Sequence, residues 1–231
     1  MVLGSGMIAM ALKTVDREGI LYAASGLSNL NGSDPAARLR EQTLLREHIA
    51  LHRDKVFVYI SSYSIDDQHP GNNTPYLEHK LNMEKLIGME AGRYLIIRTS
   101  NVVGNSRQAG NLMNFIFRNL QTGTHFDVWT KTSRNLIDVS DLALMADAAI
   151  QQGEQNKVLY LTHPADIPIY SIVRHFEALS GLKGNYTLTE KGVYYRSDKS
   201  LAEQLFTRLG LETDPDNYTK GLIEKYFRAK F

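Results

Sequence analysis

The chain has 231 residues, a 43% apolar fraction and a formal net charge of +1, which suits one large domain or a domain carrying a small lobe. So even a charge balance leaves no electrostatic footprint for nucleic acid or a membrane surface. The absence of cysteine excludes disulfides, thiolate metal sites and a cysteine nucleophile. No apolar run reaches the ~20 residues of a membrane span, and the start of the chain lacks the basic residues of a signal peptide, so a cytoplasmic protein is expected.

In chain order, "MVL" and "ILYAAS" (Ile20–Ser25) read as strands, with a helix predicted over Met7–Val15 between them. Asp34-Pro35 is an N-cap followed by proline at the first helical position, and opens a helix predicted over Pro35–His52. "VFVYIS" (Val56–Ser61) is the most strand-like run of the chain. Thr74-Pro75 then opens a helix to Ala91, and "YLIIRT" (Tyr94–Thr99) is a further strand. Strand and helix alternating at this spacing imply an α/β fold with a parallel sheet covered on both faces. After Gly104 the pattern loosens into helices near Leu112–Leu120, Asp141–Gln151, Ser171–Ser180 and Ser200–Leu209, with short strands such as "VLYLT". The expected division is residues 1–110 as a dinucleotide-binding part and 111–231 as the remaining strands plus a substrate lobe, interleaved in one structural unit.

"VLGSGMIAMAL" places Gly4 and Gly6 between the first strand and the first helix, and Ala9 completes a G-x-G-x-x-A pattern. Glycines there permit a tight turn and close backbone approach to a pyrophosphate, with Ser5, Met7 and Ile8 lining the loop; a simple turn is the alternative. The acidic residue expected ~20 positions on, at the end of a second strand, has no counterpart. Asp16 and Glu18 precede "ILYAAS" and read as the end of the first helix.

Three Tyr-x-x-x-Lys pairs occur: Tyr76/Lys80, Tyr195/Lys199 and Tyr226/Lys230. Only the first follows a strong strand ending in hydroxyls, Ser61-Ser62, at the sheet edge where ligands of parallel α/β proteins bind. Residues four apart share a helix face. An ammonium near a phenol lowers its pKa from ~10, which suits tyrosine to acid/base work near neutral pH. Tyr195/Lys199 reads as part of a polar turn, and Tyr226/Lys230 as part of a frayed C-terminus.

With these motifs in order, the chain resembles an extended short-chain dehydrogenase/reductase of the NAD-dependent epimerase/dehydratase family. "ILYAASG" resembles that fold's fourth strand, with Ala23, Ala24 and Ser25 at the cofactor. "ISSYSI" resembles its serine motif, with Ile60 and Ser61 on the cofactor side and Ser62 in the catalytic serine's place. Tyr76 and Lys80 match its tyrosine and lysine. "RTSNVVG" implies Thr99 and Ser100 near the nicotinamide and Asn101 near the substrate, and "RNLIDVSDLA" places Arg134 where the family grips a substrate diphosphate.

The resemblance implies a Rossmann-like, doubly wound parallel sheet with a small C-terminal α+β lobe, an NAD or NADP cofactor and a nucleotide-sugar substrate. It also implies a homodimer through a four-helix bundle, with Leu44, Leu45, Leu81 and Leu86 as candidate contacts. Bacterial surface-polysaccharide synthesis is the pathway it suggests. The departures are a shortened glycine motif and the apparent loss of the sheet's second and third strands. Lys13 or Arg17 would then be the cations nearest the adenosine end.

Tyr63 and Ser64 stand where sugar dehydratases of the family carry an acidic pair, which argues against 4,6-dehydration. Asp66 and Asp67, a few residues later, read as a solvated loop with Gln68 and His69. Hydride chemistry at a sugar carbinol remains, by a 4-epimerase or a ketoreductase, with Tyr76 exchanging the proton. A cofactor- or ligand-binding protein that has lost catalysis is the reading from a different class. Arg134 could alternatively form a surface ion pair with Asp138. His48 and His52 have metal-compatible i,i+4 spacing but no third ligand, so no metal site is expected. Trp129 fits either packing or stacking on a base.

Overall fold

The computed structural model describes residues 1–27, 32–66, 74–106, 111–192 and 198–231. In chain order its elements are β1 (Val2–Leu3), α1 (Met7–Leu12), β2 (Ile20–Ala23), α2 (Pro35–Leu51), β3 (Val56–Ser62), α3 (Pro75–Glu90), β4 (Tyr94–Thr99), β5 (Asn101–Val103), α4 (Leu112–Thr122), β6 (Phe126–Trp129) and β7 (Ser133–Arg134). They continue as β8 (Leu136–Asp138), α5 (Val139–Gln151), β9 (Lys157–Leu161), β10 (Ile167–Pro168), α6 (Ile169–Ser180), β11 (Tyr186–Thr189), α7 (Ser200–Leu209) and α8 (Pro215–Phe227). Single 3₁₀ turns follow α1, β3 and α8.

The chain forms two compact units, residues 1–100 with 139–161 and residues 101–138 with 162–231. The first unit is an α/β layer structure. Its sheet runs β1-β2-β3-β4-β9 with every pair parallel. The strand alternation assigns the two faces. Leu21 and Ala23 of β2, Phe57 and Tyr59 of β3 and Ile96 of β4 pack with Leu45 and Ile49 of α2 and Met83, Leu86 and Ile87 of α3. Tyr22, of opposite parity, has its phenol near Asp147 of α5, and α1 packs on α5. So α1 and α5 cover one face, and α2 and α3 the other.

Both long helices of the first unit start where the sequence places them. The Asp34 carboxylate accepts from Ala36 N at 2.9 Å and the Thr74 hydroxyl from Leu77 N at 3.3 Å, each with proline next in the chain. β1 forms one edge of the sheet, and no strand pairs on its outer side among the described residues. Among the described residues the sheet therefore lacks the two strands that a complete Rossmann half carries beyond its first.

Among the described residues the second unit holds three two-stranded sheets, β5–β8 and β6–β11 parallel and β7–β10 antiparallel, with α4, α6, α7 and α8. Its last helix corrects the expectation of a frayed C-terminus. Asp214 caps α8 through Asn217 N at 2.8 Å, Pro215 opens it, and Thr219, Leu222, Ile223, Tyr226 and Phe227 are buried at helical spacing.

Candidate active site

β2, β3 and β4 lie side by side and parallel, so the ends Ala23, Ser62 and Thr99 share one edge of the sheet. Register sets Ser62 directly opposite Thr99. The Ser62 hydroxyl accepts from Ser64 N at 3.3 Å and lies near enough to the Tyr76 phenol to act on its pKa. Tyr76 stands in the first turn of α3, next after the Pro75 that follows the Thr74 cap, which fixes the phenol's base. A Cβ at Gly32 would fall 2.3 Å from the Tyr76 Cβ, so only glycine fits against that turn.

Lys80 is not aimed at Tyr76. Its ammonium donates to the Tyr59 phenol at 2.8 Å, to Glu41 Oε1 at 3.2 Å and to the Ile60 carbonyl at 3.4 Å. Glu41, from α2, also accepts from Tyr59 Oη at 2.8 Å, Leu27 N at 2.9 Å and His79 Nε2 at 3.0 Å. All four side chains are buried. Burial alone would raise the Glu41 pKa, but the His79 hydrogen bond, the Lys80 charge and the Leu27 and Tyr59 donors hold it well below the usual carboxylate range. Burial pulls the Lys80 ammonium down, with Glu41 opposing.

The expectation that Lys80 lowers the Tyr76 pKa is therefore corrected. Burial raises the phenol, the Ser62 hydroxyl opposes, and the Glu41 carboxylate adds to the rise. The physical reason is the lysine's commitment to Glu41 and Tyr59.

A second polar cluster lies behind the serines. Arg98 of β4 grips Glu84 of α3 with Nε and Nη2 at 3.0 and 2.7 Å, and its Nη1 reaches Asp66 at 2.7 Å and the Tyr160 phenol at 3.0 Å. Ser61 donates to Glu84 at 2.5 Å. The Ser61 hydroxyl is thus spent inside the protein, and Asp66 is an ion-pair partner rather than part of a solvated loop. Asp67, Gln68 and His69 lie outside the described residues.

The glycine loop sits at the end of β1. Gly4 has φ +116°, and a Cβ there would lie 2.6 Å from the Ala24 carbonyl oxygen, so the loop and the end of β2 touch backbone to backbone. Gly6 has φ −74° and open space where a Cβ would go. Ser5 is exposed, Met7 and Ile8 are half-buried and Ala9 is buried. Ser25 Oγ and Thr99 Oγ1 are buried with no hydrogen-bond partner, the condition of polar atoms that wait for a ligand or ordered water. Ser100, half-buried, ends the first unit. Arg17 pairs with Asp147 and Lys13 Nζ lies 3.8 Å from the Met10 sulfur, so Arg17 is already committed.

In the second unit, Asn101 is exposed and its side-chain amide donates to the Asn135 carbonyl at 3.0 Å. Arg134 is half-buried and donates to the Ser133 carbonyl at 2.9 Å, while Asp138 binds Lys225 at 2.8 Å and Tyr226 at 3.1 Å. Asp138 therefore serves α8. Lys199 pairs with Asp166, and Tyr195 lies outside the described residues. Trp129 is exposed. In the first unit, His48 and His52 stack at 5.6 Å. Among the described residues no group of three or more His, Cys, Asp or Glu could hold a metal ion.

Glu41, Tyr59, His79, Glu84 and Arg98, with Gly26 and Gly32, were not singled out from the sequence. The usable signals were a Glu between apolar positions of α2 and glycines at either end of the segment after β2.

No curated protein matches the sequence. By structure the chain is similar to RMD from Pseudomonas aeruginosa, complexed with NADPH (TM-score 0.74, 15% identity, covering 100% of this chain and 98% of that one). It is also similar to the UDP-glucuronic acid 4-epimerase of Bacillus cereus, solved with a fluorinated substrate analogue and NAD (TM-score 0.71, 14%, 95% and 78%). A third is a UDP-glucose-4-epimerase from Stenotrophomonas maltophila with NAD and a formylated UDP-arabinopyranose (TM-score 0.69, 16%, 97% and 80%). A family model matches residues 11–161, about two thirds of the chain, and by that match the chain belongs to the NAD dependent epimerase/dehydratase family.

Proposed function

We propose that the protein is an NAD(P)-dependent enzyme acting on a nucleotide sugar by hydride transfer at a carbinol or keto carbon, as an epimerase or ketoreductase. The observation that carries this reading is the Ser62 hydroxyl at the carboxyl end of β3, close enough to the Tyr76 phenol to act on its pKa, with the unpartnered Thr99 hydroxyl directly across the register. Ser62 would hold the substrate oxygen and Tyr76 would pass the proton.

The first unit's residues fit a dinucleotide at its phosphate and nicotinamide ends. Gly4 is pressed against Ala24, Gly6 is open above, and Ser25 and Thr99 offer buried hydroxyls. When bound, the nicotinamide would supply or take the hydride. The similar structures contain NAD or NADPH, and two contain UDP-sugars or analogues, which supports the cofactor and substrate classes. Asn101 and Arg134 are proposed for the substrate's polar groups. A guanidinium suits a diphosphate through paired donors.

A homodimer through α2 and α3 is part of the same proposal, with a correction to its contacts. Leu45 and Leu86 lie in the core, which leaves the half-buried Leu44 and Leu81 for a partner. No helix among the described residues is long and apolar enough to cross a membrane.

A second reading, a binding protein without turnover, is favoured by one observation: every proton of the Lys80 ammonium already has a protein acceptor. Titration with NADH and NADPH by fluorescence and calorimetry separates the two, followed by turnover of UDP-sugars. Wild type and Tyr76→Phe should bind the cofactor alike, with turnover in the variant down about 10²–10⁴-fold. No binding of either cofactor up to millimolar concentration would sink the enzyme reading.

A further inference from the structure

The turn that follows Ser62 is tied to two neighbouring strands. β3 ends at Ser62, and the chain continues at once as the 3₁₀ turn Tyr63–Asp66. Ser61 of β3, Arg98 of β4 and Tyr160 of β9 stand side by side in register, one row before the carboxyl ends of these strands. Arg98 gives Nε and Nη2 to Glu84 at 3.0 and 2.7 Å, which leaves Nη1 for Asp66 Oδ1 at 2.7 Å and the Tyr160 phenol at 3.0 Å. The Tyr160 phenol donates in turn to Asp66 Oδ2 at 2.5 Å. Each carboxylate oxygen of Asp66 is thus held from a different strand. At the start of the turn the Tyr63 ring meets the Tyr160 ring edge to face at 6.2 Å, and Ser64 N donates to Ser62 Oγ at 3.3 Å.

We propose that Asp66 is a positioning residue for Ser62: clamped by Arg98 and Tyr160, it fixes the Tyr63–Asp66 turn, and the turn fixes the rotamer of the Ser62 hydroxyl through the Ser64 amide. The inference rests on the reading of Ser62 as the group that holds the substrate oxygen.

A serine side chain has three staggered rotamers to choose from. One long bond from a backbone amide selects among them only when the amide itself is held still. The clamp supplies that restraint. Its fixed point is the Arg98 guanidinium, because Glu84 grips it with paired bonds and has a side chain only 5% exposed. Stability is a poor account of the Asp66 end. Its side chain is 35% exposed, and an ion pair that water reaches contributes little. What the closed triangle of carboxylate, guanidinium and phenol supplies is direction for the turn, and through it for Ser62.

The test is the rotamer of Ser62, read by NMR from its Hα–Hβ couplings and assigned by the signal missing in Ser62→Ala. Asp66→Ala removes the clamp. Tyr160→Phe removes the phenolic hydroxyl and keeps the ring beside Tyr63 and Arg98. In wild type the couplings should take the values of a single staggered rotamer, in Asp66→Ala the averaged values, and in Tyr160→Phe values between the two. Ser62 still locked in folded Asp66→Ala overturns the proposal, as does a Ser62 already averaged in wild type. If Asp66→Ala does not fold, Tyr160→Phe decides alone: partial averaging supports the assignment and unchanged couplings overturn it. With a UDP-sugar that wild type turns over, Asp66→Ala should lower kcat about 10–100-fold and leave NADH affinity unchanged. An unchanged kcat, or a loss of NADH affinity matching the loss of kcat, counts against positioning. The rotamer reading needs neither cofactor nor turnover, so its failure is distinct from failure of the hydride-transfer reading.

Discussion

Replacing Arg98 by Met removes a guanidinium while keeping most of its stem in the sheet. The variant loses two hydrogen bonds to Glu84 and one each to Asp66 and Tyr160. The Glu84 side chain is 5% exposed, so its carboxylate would keep only the Ser61 donor in a nearly dry site. Breaking a buried pair by removing one partner costs roughly 3–5 kcal/mol. Asp66, at 35% exposure, adds at most ~1 kcal/mol because water can replace its partner. Against a typical domain stability of about 5–15 kcal/mol, the loss should be plain in urea unfolding followed by circular dichroism. A cycle with Glu84→Met isolates the pair. The double variant should cost less than the sum of the singles by about 2 kcal/mol, since two apolar side chains leave no stranded charge. A cost for Arg98→Met below about 1 kcal/mol, or strict additivity with Glu84→Met, would show that the cluster is effectively solvated and refute the reasoning.

Gly4→Ala should destabilise the fold by about 2–4 kcal/mol, combining the strain of a non-glycine residue at φ +116° with a methyl 2.6 Å from the Ala24 carbonyl oxygen. Gly6→Ala, with ordinary φ and free space, should melt within about 1 kcal/mol of wild type but bind NADH more weakly; equal melting of the two variants would contradict the loop geometry. Glu41 predicts the acid limb of stability. Its folded pKa is depressed, so its contribution is complete above the ordinary value of 4.5 and is lost as pH falls below it. The gap between wild type and Glu41→Gln in urea midpoints should therefore narrow below about pH 4.5, and a gap constant with pH would remove the carboxylate from the account.

The fold was legible because its signals are local. Proline after an N-cap marks α2 and α3, β-branched and aromatic runs mark β3 and β4, and the structure has these elements within a few residues of the expectation. The sites were legible as residue types and much less as partners. Tyr76 and Lys80 sit four apart on one helix, and spacing alone pairs them. The competitor for the lysine, Glu41, comes from another helix 39 residues away, and only its place between apolar positions separates it locally from the exposed Glu47 of α2. Arg98 reads as one charge in an apolar strand, and its partners Asp66, Glu84 and Tyr160 come from three further elements. The buried helix α8 was missed because polar residues dominate its first turn, where Tyr218 is the one buried aromatic, and its aliphatic positions begin only at Leu222. Long-range charge pairing is set by tertiary packing, which a single chain's periodicity does not encode.

The hand of the sheet connections follows from the shortened Rossmann half. β1-α1-β2 and β2-α2-β3 step the same way between parallel strands, yet α1 and α2 lie on opposite faces, so the two units have opposite hands. β3-α3-β4 shares the face of α2. Right-handed crossovers account for about 98% of such units, which assigns the left hand to β1-α1-β2. Strand twist disfavours that hand in an isolated unit. It arises naturally where a strand and helix from one winding direction are joined directly to the strands of the other, with the intervening pair left out. The face of α1 is then secured by its packing on α5 and by the Arg17–Asp147 pair rather than by its connection. β1 is only two residues long and lies at the sheet edge. The glycine loop is therefore carried by the element least secured by topology. Any ligand bound across Gly4–Ile8 stabilises the docking of β1 and α1 by mass action, and loose docking lowers affinity for that ligand by the same linkage.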